Sequence, residues 1–246
     1  MSAHPRRVLL APGYILHHRP YRDSSRILEV LARDHGRLTL FARGVRGPKP
    51  RFGGVLQPFD LLLLTFQVGR EAGQLTAVES AESAPPLPAD SLMPGFYLNE
   101  LLLKLTTRHD PVPEVFEDYG RALGGLRTGG RVEAVLRVFE KRLLEAVGYG
   151  IDLTAEARTG KAIEADGRYR FEASQGLVPA GEGDAGAVAG SSLLALARED
   201  LAAERAVDDA RTVLKAALAE RLEGQELVTR RVARAVAARG GSRRRP

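Results

Sequence analysis

The sequence predicts an α+β protein: a small closed N-terminal β-barrel, then a mostly helical C-terminal domain that contains a small irregular excursion. Three observations carry this reading. Short apolar runs crowd the first eighty residues, the proline-rich stretch ESAESAPPLPAD from Glu79 to Asp90 breaks all periodicity, and beyond it apolar residues recur at helical spacing. The expected organisation is a barrel over 1–80, a stiff linker over 81–91, and a helical domain over 92–240 whose excursion covers 149–192. A disordered basic tail over 241–246 completes it.

The strands expected in order are Arg7–Leu10, Gly13–His18, Arg26–Ala32, Arg37–Ala42, Asp60–Gln67 and Gln74–Glu79, separated by Pro, Gly and Asp signals. Asp34-His35-Gly36 reads as a tight turn in which Gly36 supplies positive φ. So many short strands in so little chain suit a closed barrel, because closure removes unpaired edges. In the helical domain Phe96, Leu98, Leu101, Leu102 and Leu105 form one face of a first helix. Val115, Phe116, Tyr119 and Leu123 mark a second after Pro113. Val132, Val135, Leu136, Phe139, Leu143 and Val147 keep a stripe on a third, with Gly148 placed to cap it. These stripes are ordinary core packing. The helical signal lapses between Tyr149 and Ala180, where GRYRFEASQGLVP reads as a small hairpin, and AGEGDAGAVAGSS, Ala180 to Ser192, reads as a mobile loop. Helices are expected again over Leu193–Ala203, Val207–Leu222 and Glu226 to about Ala238.

A chain of 246 residues can bury a substantial core. Its net charge of +5 is unevenly spread: Met1–Ser80 holds 12 Lys/Arg against 6 Asp/Glu, Ala81–Glu226 17 against 25, and Leu227–Pro246 7 against none. Basic ends around an acidic middle suggest a face that meets a polyanion. There is no cysteine, which excludes disulfides and thiolate metal sites. No apolar run reaches the roughly 20 residues that span a bilayer. The apolar start is interrupted by Pro12 and Gly13 and leads into His17, His18 and Arg19 without a cleavage site, so a buried strand is expected there rather than a signal peptide. Together these features describe a soluble, cytoplasmic protein.

Catalytic motifs are absent. The histidines are His4, His17, His18, His35 and His109, and the one adjacent pair lies in a strand, where neighbours point to opposite faces; no metal site is expected. Gly160-Lys161 is followed by Ala162 and preceded by Ala155 where a phosphate loop needs Ser/Thr and Gly. No G-x-S-x-G elbow occurs. Gly44-Val45-Arg46-Gly47 matches a KH-type clamp in letters, but a strand precedes it and Pro48 and Pro50 follow, so it does not join two helices. The acidic pairs Glu117-Asp118 and Asp208-Asp209 read as solvated helix faces.

The segment from Gly36 to Phe59 is different. It carries Arg37, Arg43, Arg46, Lys49 and Arg51, no acid, and Gly or Pro every few residues, so backbone and cationic heads can approach a partner together. Phe41, Phe52 and Phe59 lie among them, with Phe41 and Phe59 expected to face the core. Basic groups beside an aromatic platform on a small barrel suit single-stranded nucleic acid. A second basic run, Arg230, Arg231, Arg234 and Arg239 on a helix with Arg243 to Arg245 beyond, offers a second cationic element.

Leu56-Gln57-Pro58-Phe59, then Gly95-Phe96-Tyr97-Leu98-Asn99-Glu100-Leu101-Leu102, then Phe139-Glu140 leading to Gly148-Tyr149-Gly150 follow one another in this order. With the early RPYRDSSRILEVLARDHGRLTLFARGVR, with Gln175-Gly176-Leu177 and with the basic last helix, this succession resembles the RecO family of bacterial DNA repair proteins. The likeness covers nearly the whole chain. It implies an OB-fold barrel and a recombination mediator rather than an enzyme. Such a protein binds single- and double-stranded DNA, anneals complementary strands, associates with RecR and with the single-stranded DNA-binding protein SSB, and helps load RecA on SSB-coated DNA. Carried to this chain, the DNA-facing candidates are Arg37, Arg43, Arg46, Lys49 and Arg51, with Arg230, Arg231 and Arg234 at the other end. The resemblance also implies a helical-domain pocket for the acidic, apolar C-terminal tail of SSB. Arg137 and Lys141 on the third helix, and Arg211 and Lys215 on a later one, have the i,i+4 spacing to rim it. Many relatives carry a four-cysteine zinc module in the region matching Tyr149–Ala180. Without cysteine that excursion must hold by packing or stay mobile. Two other readings compete: an adaptor that binds acidic protein tails with no direct DNA role, and a hydrolase built on Asp34 and His35, which no nucleophile or metal set accompanies.

Overall fold

The strands of the first unit are set by alternation. In this computed structural model, which describes residues 6–46, 50–52, 54–69, 71–81, 84–232 and 234–235, five strands form a closed barrel in the order β1-β2-β3-β5-β4. They are β1 (Arg7–Tyr21), β2 (Ser25–Ala32), β3 (Gly36–Ala42), β4 (Leu62–Gln67) and β5 (Gly73–Ser80). Leu28, Val30 and Ala32 stand opposite Leu40, Leu38 and Gly36. With Ile15, Leu62, Leu64, Phe66 and Leu75 they fill the barrel interior. Each large side chain buried this way contributes roughly 1.5–3 kcal/mol. A parallel pairing of β3 with β5, Leu40 with Gly73 and Phe41 with Gln74, and an antiparallel pairing of β1 with β4 close the barrel. This is the OB-like arrangement that strand spacing and the family resemblance led us to expect.

One continuous β1 replaces the two strands expected before and after Pro12. Pro12 has no N–H to donate, but its carbonyl accepts from the Arg33 amide at 3.1 Å. Register shifts between Val8 and Ala11 and between Ile15 and His17 absorb the irregularity. At the first shift Leu10 takes φ 48°, and Leu9 is 65% exposed. The strand expected from Asp60 begins two residues later, because Phe59 sits at φ 74° in the preceding turn.

The compact units are Met1–Arg127 and Thr128–Pro246, so the first two helices, α1 (Leu92–Leu105) and α2 (Pro113–Arg127), belong with the barrel although they follow the proline-rich stretch. Tyr14 of β1 packs against Phe116 and edge-on against Tyr119 of α2, with centroids 5.0 and 4.9 Å apart. Buried Asn99 of α1 donates to the Leu16 carbonyl at 2.8 Å and accepts from the Tyr119 hydroxyl at 2.5 Å. Burial pushes that hydroxyl well above the usual phenol range. Arg127 ends α2 by donating to the carbonyls of Pro85 (2.9 Å) and Phe59 (2.6 Å), which ties the stretch after β5 to the barrel. At the turn before β3, Gly36 has φ 65° and a Cβ there would lie 2.4 Å from the Asp110 carbonyl oxygen, so only glycine lets the α1–α2 loop close on the barrel. On α1 the expected face is adjusted by one position: Tyr97 is buried, whereas Phe96 is 42% exposed and meets Phe59 at 5.0 Å.

The second unit contains α3 (Val132–Ala146), a three-stranded sheet β7-β6-β8, α4 (Gly190–Ala197) and α5 (Glu204–Arg221). Its sheet consists of β6 (Arg168–Glu172) and β7 (Gly176–Pro179), the expected hairpin, with β8 (Val188–Ala189) on the other edge of β6. The stretch read as a mobile loop therefore ends in a strand and a helix start. Gly190 explains the join, since a Cβ there would lie 1.9 Å from the Glu164 carbonyl oxygen. The helix expected to continue to Ala203 stops at Ala197, where Glu199 takes φ 60°. Helical backbone also covers 228–232 and 234–235, inside the last expected helix; the tail 241–246 lies outside the described residues.

Candidate nucleic-acid interface

The basic loop between β3 and β4 is pinned at several points. The Val45 and Arg46 amides both donate to the Ser24 carbonyl, at 2.8 and 3.0 Å, and the Arg51 amide donates to Gly44 at 2.7 Å. Val45 and Leu56 insert into the barrel core. The chain thus buries the loop's aliphatic residues and leaves Arg43, Arg46 and Arg51 exposed. Arg46 donates weakly to the Arg22 carbonyl at 3.4 Å, and Arg51 donates to the Thr76 carbonyl at 2.7 Å while its guanidinium stands 4.7 Å from the Phe52 ring centre. Among the described residues none of these three arginines meets a carboxylate. They are oriented cations with uncompensated charge, the form in which a guanidinium binds phosphate. Lys49 lies outside the described residues.

Arg37 does not belong with them. Its Nε donates to Thr106 Oγ1 at 3.2 Å and its Nη2 to the Thr106 carbonyl at 2.8 Å, while Nη1 pairs with Glu29 at 3.4 Å. The side chain is 13% exposed, and burial followed by the neighbouring Arg108 charge lowers its pKa. Its fork fastens β3 to the C-terminal end of α1. Glu29 also accepts from Thr39 Oγ1 at 2.8 Å and from Arg108 at 2.7 Å, so both oxygens of the carboxylate are engaged. Phe41, expected in the core, is half-buried on the outer side of the barrel against Tyr21, and Phe59 is buried as expected. Sequence reasoning passed over Tyr21, Arg22 and Arg19; the signal was an aromatic-cation pair at the mouth of the β1–β2 turn, within the quoted RPYRD.

In the second unit the proposed rim is divided. Arg137 is 6% exposed and donates to Glu140, itself fully buried, at 2.7 Å; it is a packing residue of α3, not a surface cation. Lys141 bridges Glu199 (3.0 Å) and Glu145 (3.3 Å), and Arg142, which sequence reasoning did not single out, holds Glu199 through Nε at 2.8 Å. Hydrogen bonds from Arg142, then from Lys141, hold the Glu199 carboxyl down to about 2. Arg211 and Lys215 are exposed on α5 and form no ion pair among the described residues. Near the C-terminus Arg231 is exposed, Arg230 is half-buried and Arg234 pairs with Glu226. Arg239 and Arg243 to Arg245 lie outside the described residues.

Among the described residues no three His, Cys, Asp or Glu side chains converge to hold a metal, and no helix is long and apolar enough to cross a membrane. The excursion does not fit zinc: in place of thiolates it has a hydrogen-bonded knuckle. Asp152 accepts from the Thr154 amide at 2.9 Å and hydroxyl at 2.7 Å, bonds that lower its pKa. Ala155 bridges Ala162, and Leu153 and Ile163 are buried beneath.

Comparison with known proteins agrees along the chain. The family descriptions "Recombination protein O N terminal" and "Recombination protein O C terminal" match residues 7–85 and 90–231. DNA repair protein RecO of Methylococcus capsulatus is 40% identical over 230 residues, 94% of this chain and 95% of that relative. RecO of Alkalilimnicola ehrlichii is 41% identical over 237 residues, 94% and 93% of the two chains. RecO of an Azoarcus species is 38% identical over 225 residues, 89% and 93%.

Proposed function

The chain belongs to the recombination protein O family, whose members here are DNA repair proteins, and from that premise we propose that it is a non-enzymatic recombination mediator. In this reading it binds single- and double-stranded DNA and anneals complementary strands. With RecR it helps load RecA on SSB-coated single strands, in the cytoplasm and away from membranes. The observation that carries it is the pinned loop with Arg43, Arg46 and Arg51 exposed and unneutralised among the described residues.

Each guanidinium that replaces a condensed counterion on a phosphate releases that ion to solution, which favours binding at low salt without reading bases. Two strands held by one cationic surface repel each other less, so annealing follows from proximity and no covalent bond changes. The test is a titration of Arg43→Ala/Arg46→Ala/Arg51→Ala with DNA at several salt concentrations. Affinity should fall evenly across sequences and the salt slope should shrink by about one unit per lost phosphate contact; an unchanged slope overturns the assignment. Annealing of SSB-coated complementary strands should depend on the SSB tail.

A second reading, an adaptor for acidic tails alone, is favoured by one feature: Arg211 and Lys215 are exposed four residues apart on α5 and form no ion pair among the described residues. Wild-type protein that ignores DNA at low salt yet binds an acidic peptide would select it.

A further inference from the structure

We infer that the outer face of β1 and β3 is a stacking site for unpaired DNA bases, centred on Tyr21 and Phe41. The inference rests on the DNA-binding reading above and adds what part of DNA this surface grips. Alternation along β3 sends Leu40 and Ala42 inward and Phe41 outward. The Tyr21 ring lies 5.3 Å from it at an interplanar angle of 51°, and both residues are half-buried, so part of each remains accessible to solvent. The pair is outside the barrel core and needs another explanation for its two large apolar surfaces. Its surroundings supply one. The Arg22 guanidinium stands 5.2 Å from the Tyr21 ring centre. Arg19 faces Ile27 across the ladder, and Ile27 faces Phe41, which places Arg19 on the same side of the sheet. The loop carrying Arg43 and Arg46 is tied to the β1–β2 turn through Ser24 and Arg22. Asp23 lies in that turn, yet none of Arg19, Arg22, Arg43 and Arg46 forms an ion pair among the described residues.

Two aromatic rings bordered by uncompensated arginines complement a chain whose flat apolar faces alternate with phosphates. A duplex hides those faces, so single-stranded DNA is the occupant, and the same arginines that hold a duplex by its phosphates gain a stacking partner only when bases are unpaired. Binding of oligothymidylate and of an abasic strand of equal length should be compared for the full chain. Wild type should prefer the base-bearing strand by roughly 5- to 150-fold, the range of one base–aromatic stack. Tyr21→Leu and Phe41→Leu should erase most of that preference and leave abasic binding unchanged, whereas Tyr21→Trp should keep it. The chain has no tryptophan, so the Tyr21→Trp emission should also be quenched by the base-bearing strand and not by the abasic one. Equal wild-type affinities for the two strands overturn the stacking site and leave phosphate binding standing. Leucine variants that keep the full preference overturn it too, as they must if the face docks a protein. Failure to bind either strand at low salt overturns the DNA reading with it.

Discussion

Arginines of the β3–β4 loop and of α3 are the same residue type in two opposite situations. Arg43, Arg46 and Arg51 are exposed and meet no carboxylate among the described residues, while on α3 Arg137 is buried against Glu140, and Lys141 and Arg142 converge on Glu199. A cation is available to an external anion only where the chain has not already supplied one. The first set should affect binding and hardly touch stability, and the second should do the reverse.

The largest effect expected from this contrast is at Arg137. Arg137→Ala leaves Glu140 charged in a site from which water is excluded, and loss of one partner from such a pair costs about 3–5 kcal/mol. Urea unfolding should register this as a lower midpoint, while Arg137→Met/Glu140→Leu, which removes both charges, should recover most of the loss. DNA affinity of the folded single variant should be unchanged. Arg37 sharpens the contrast within one basic segment. Arg37→Ala removes two hydrogen bonds to Thr106 and an ion pair with Glu29, and should destabilise by about 1–3 kcal/mol with no change in salt slope. Arg43→Ala should leave stability within about 0.5 kcal/mol and lower the slope by about one unit. A slope that fell for Arg37→Ala instead would break the comparison.

Arg37 also shows where the sequence stopped being informative. Period-two alternation and turn residues are local, and they placed the barrel strands, the second helix and the β6–β7 hairpin. What fixes Arg37 is Thr106, at the end of a helix beyond the proline-rich stretch, and nothing in the spacing around Arg37 announces that contact. Arg137 was likewise read, with Lys141 at i,i+4 spacing, as part of a cationic rim; only the packing of the second unit buries it against Glu140. Phe41 was the converse case. It lies in an apolar run, LTLFA, but alternation from Leu38 and Leu40 sets it on the outer face, where strict counting of the period would have put it.

Glu199 tests the second set by pH. Its carboxyl titrates at about 2 against 4.5 for an unperturbed glutamate, so the folded state binds its proton less readily than the unfolded state does. The stability it contributes is complete above about pH 4.5 and is lost as pH falls from there towards 2. With its side chain 22% exposed, solvent screening reduces the contribution to about 1–2 kcal/mol. Wild type should exceed Glu199→Gln by that amount at pH 6, and the difference should vanish near pH 2; a constant difference would mean that Lys141 and Arg142 do not hold an ionised carboxylate.

Arg211 and Lys215 of α5 resemble the loop arginines, although they lie in the unit that holds the neutralised set, and the smallest effect falls on them. Like charges four residues apart on a helix repel, at a cost of about 0.2–0.5 kcal/mol. Lys215→Glu turns that repulsion into attraction and should stabilise the protein by about 0.5 kcal/mol in dilute buffer, with the gain disappearing as salt shortens the screening length. If the pair is only solvated, nothing else changes. If it serves acidic tails, the stabilised variant should bind an acidic peptide more weakly than wild type at the same low salt, because the carboxylate introduced at 215 then occupies Arg211 in the way Glu199 occupies Arg142. Stability and binding would move in opposite directions at one residue, which separates an exposed cation kept for a partner from one that merely keeps the surface charged.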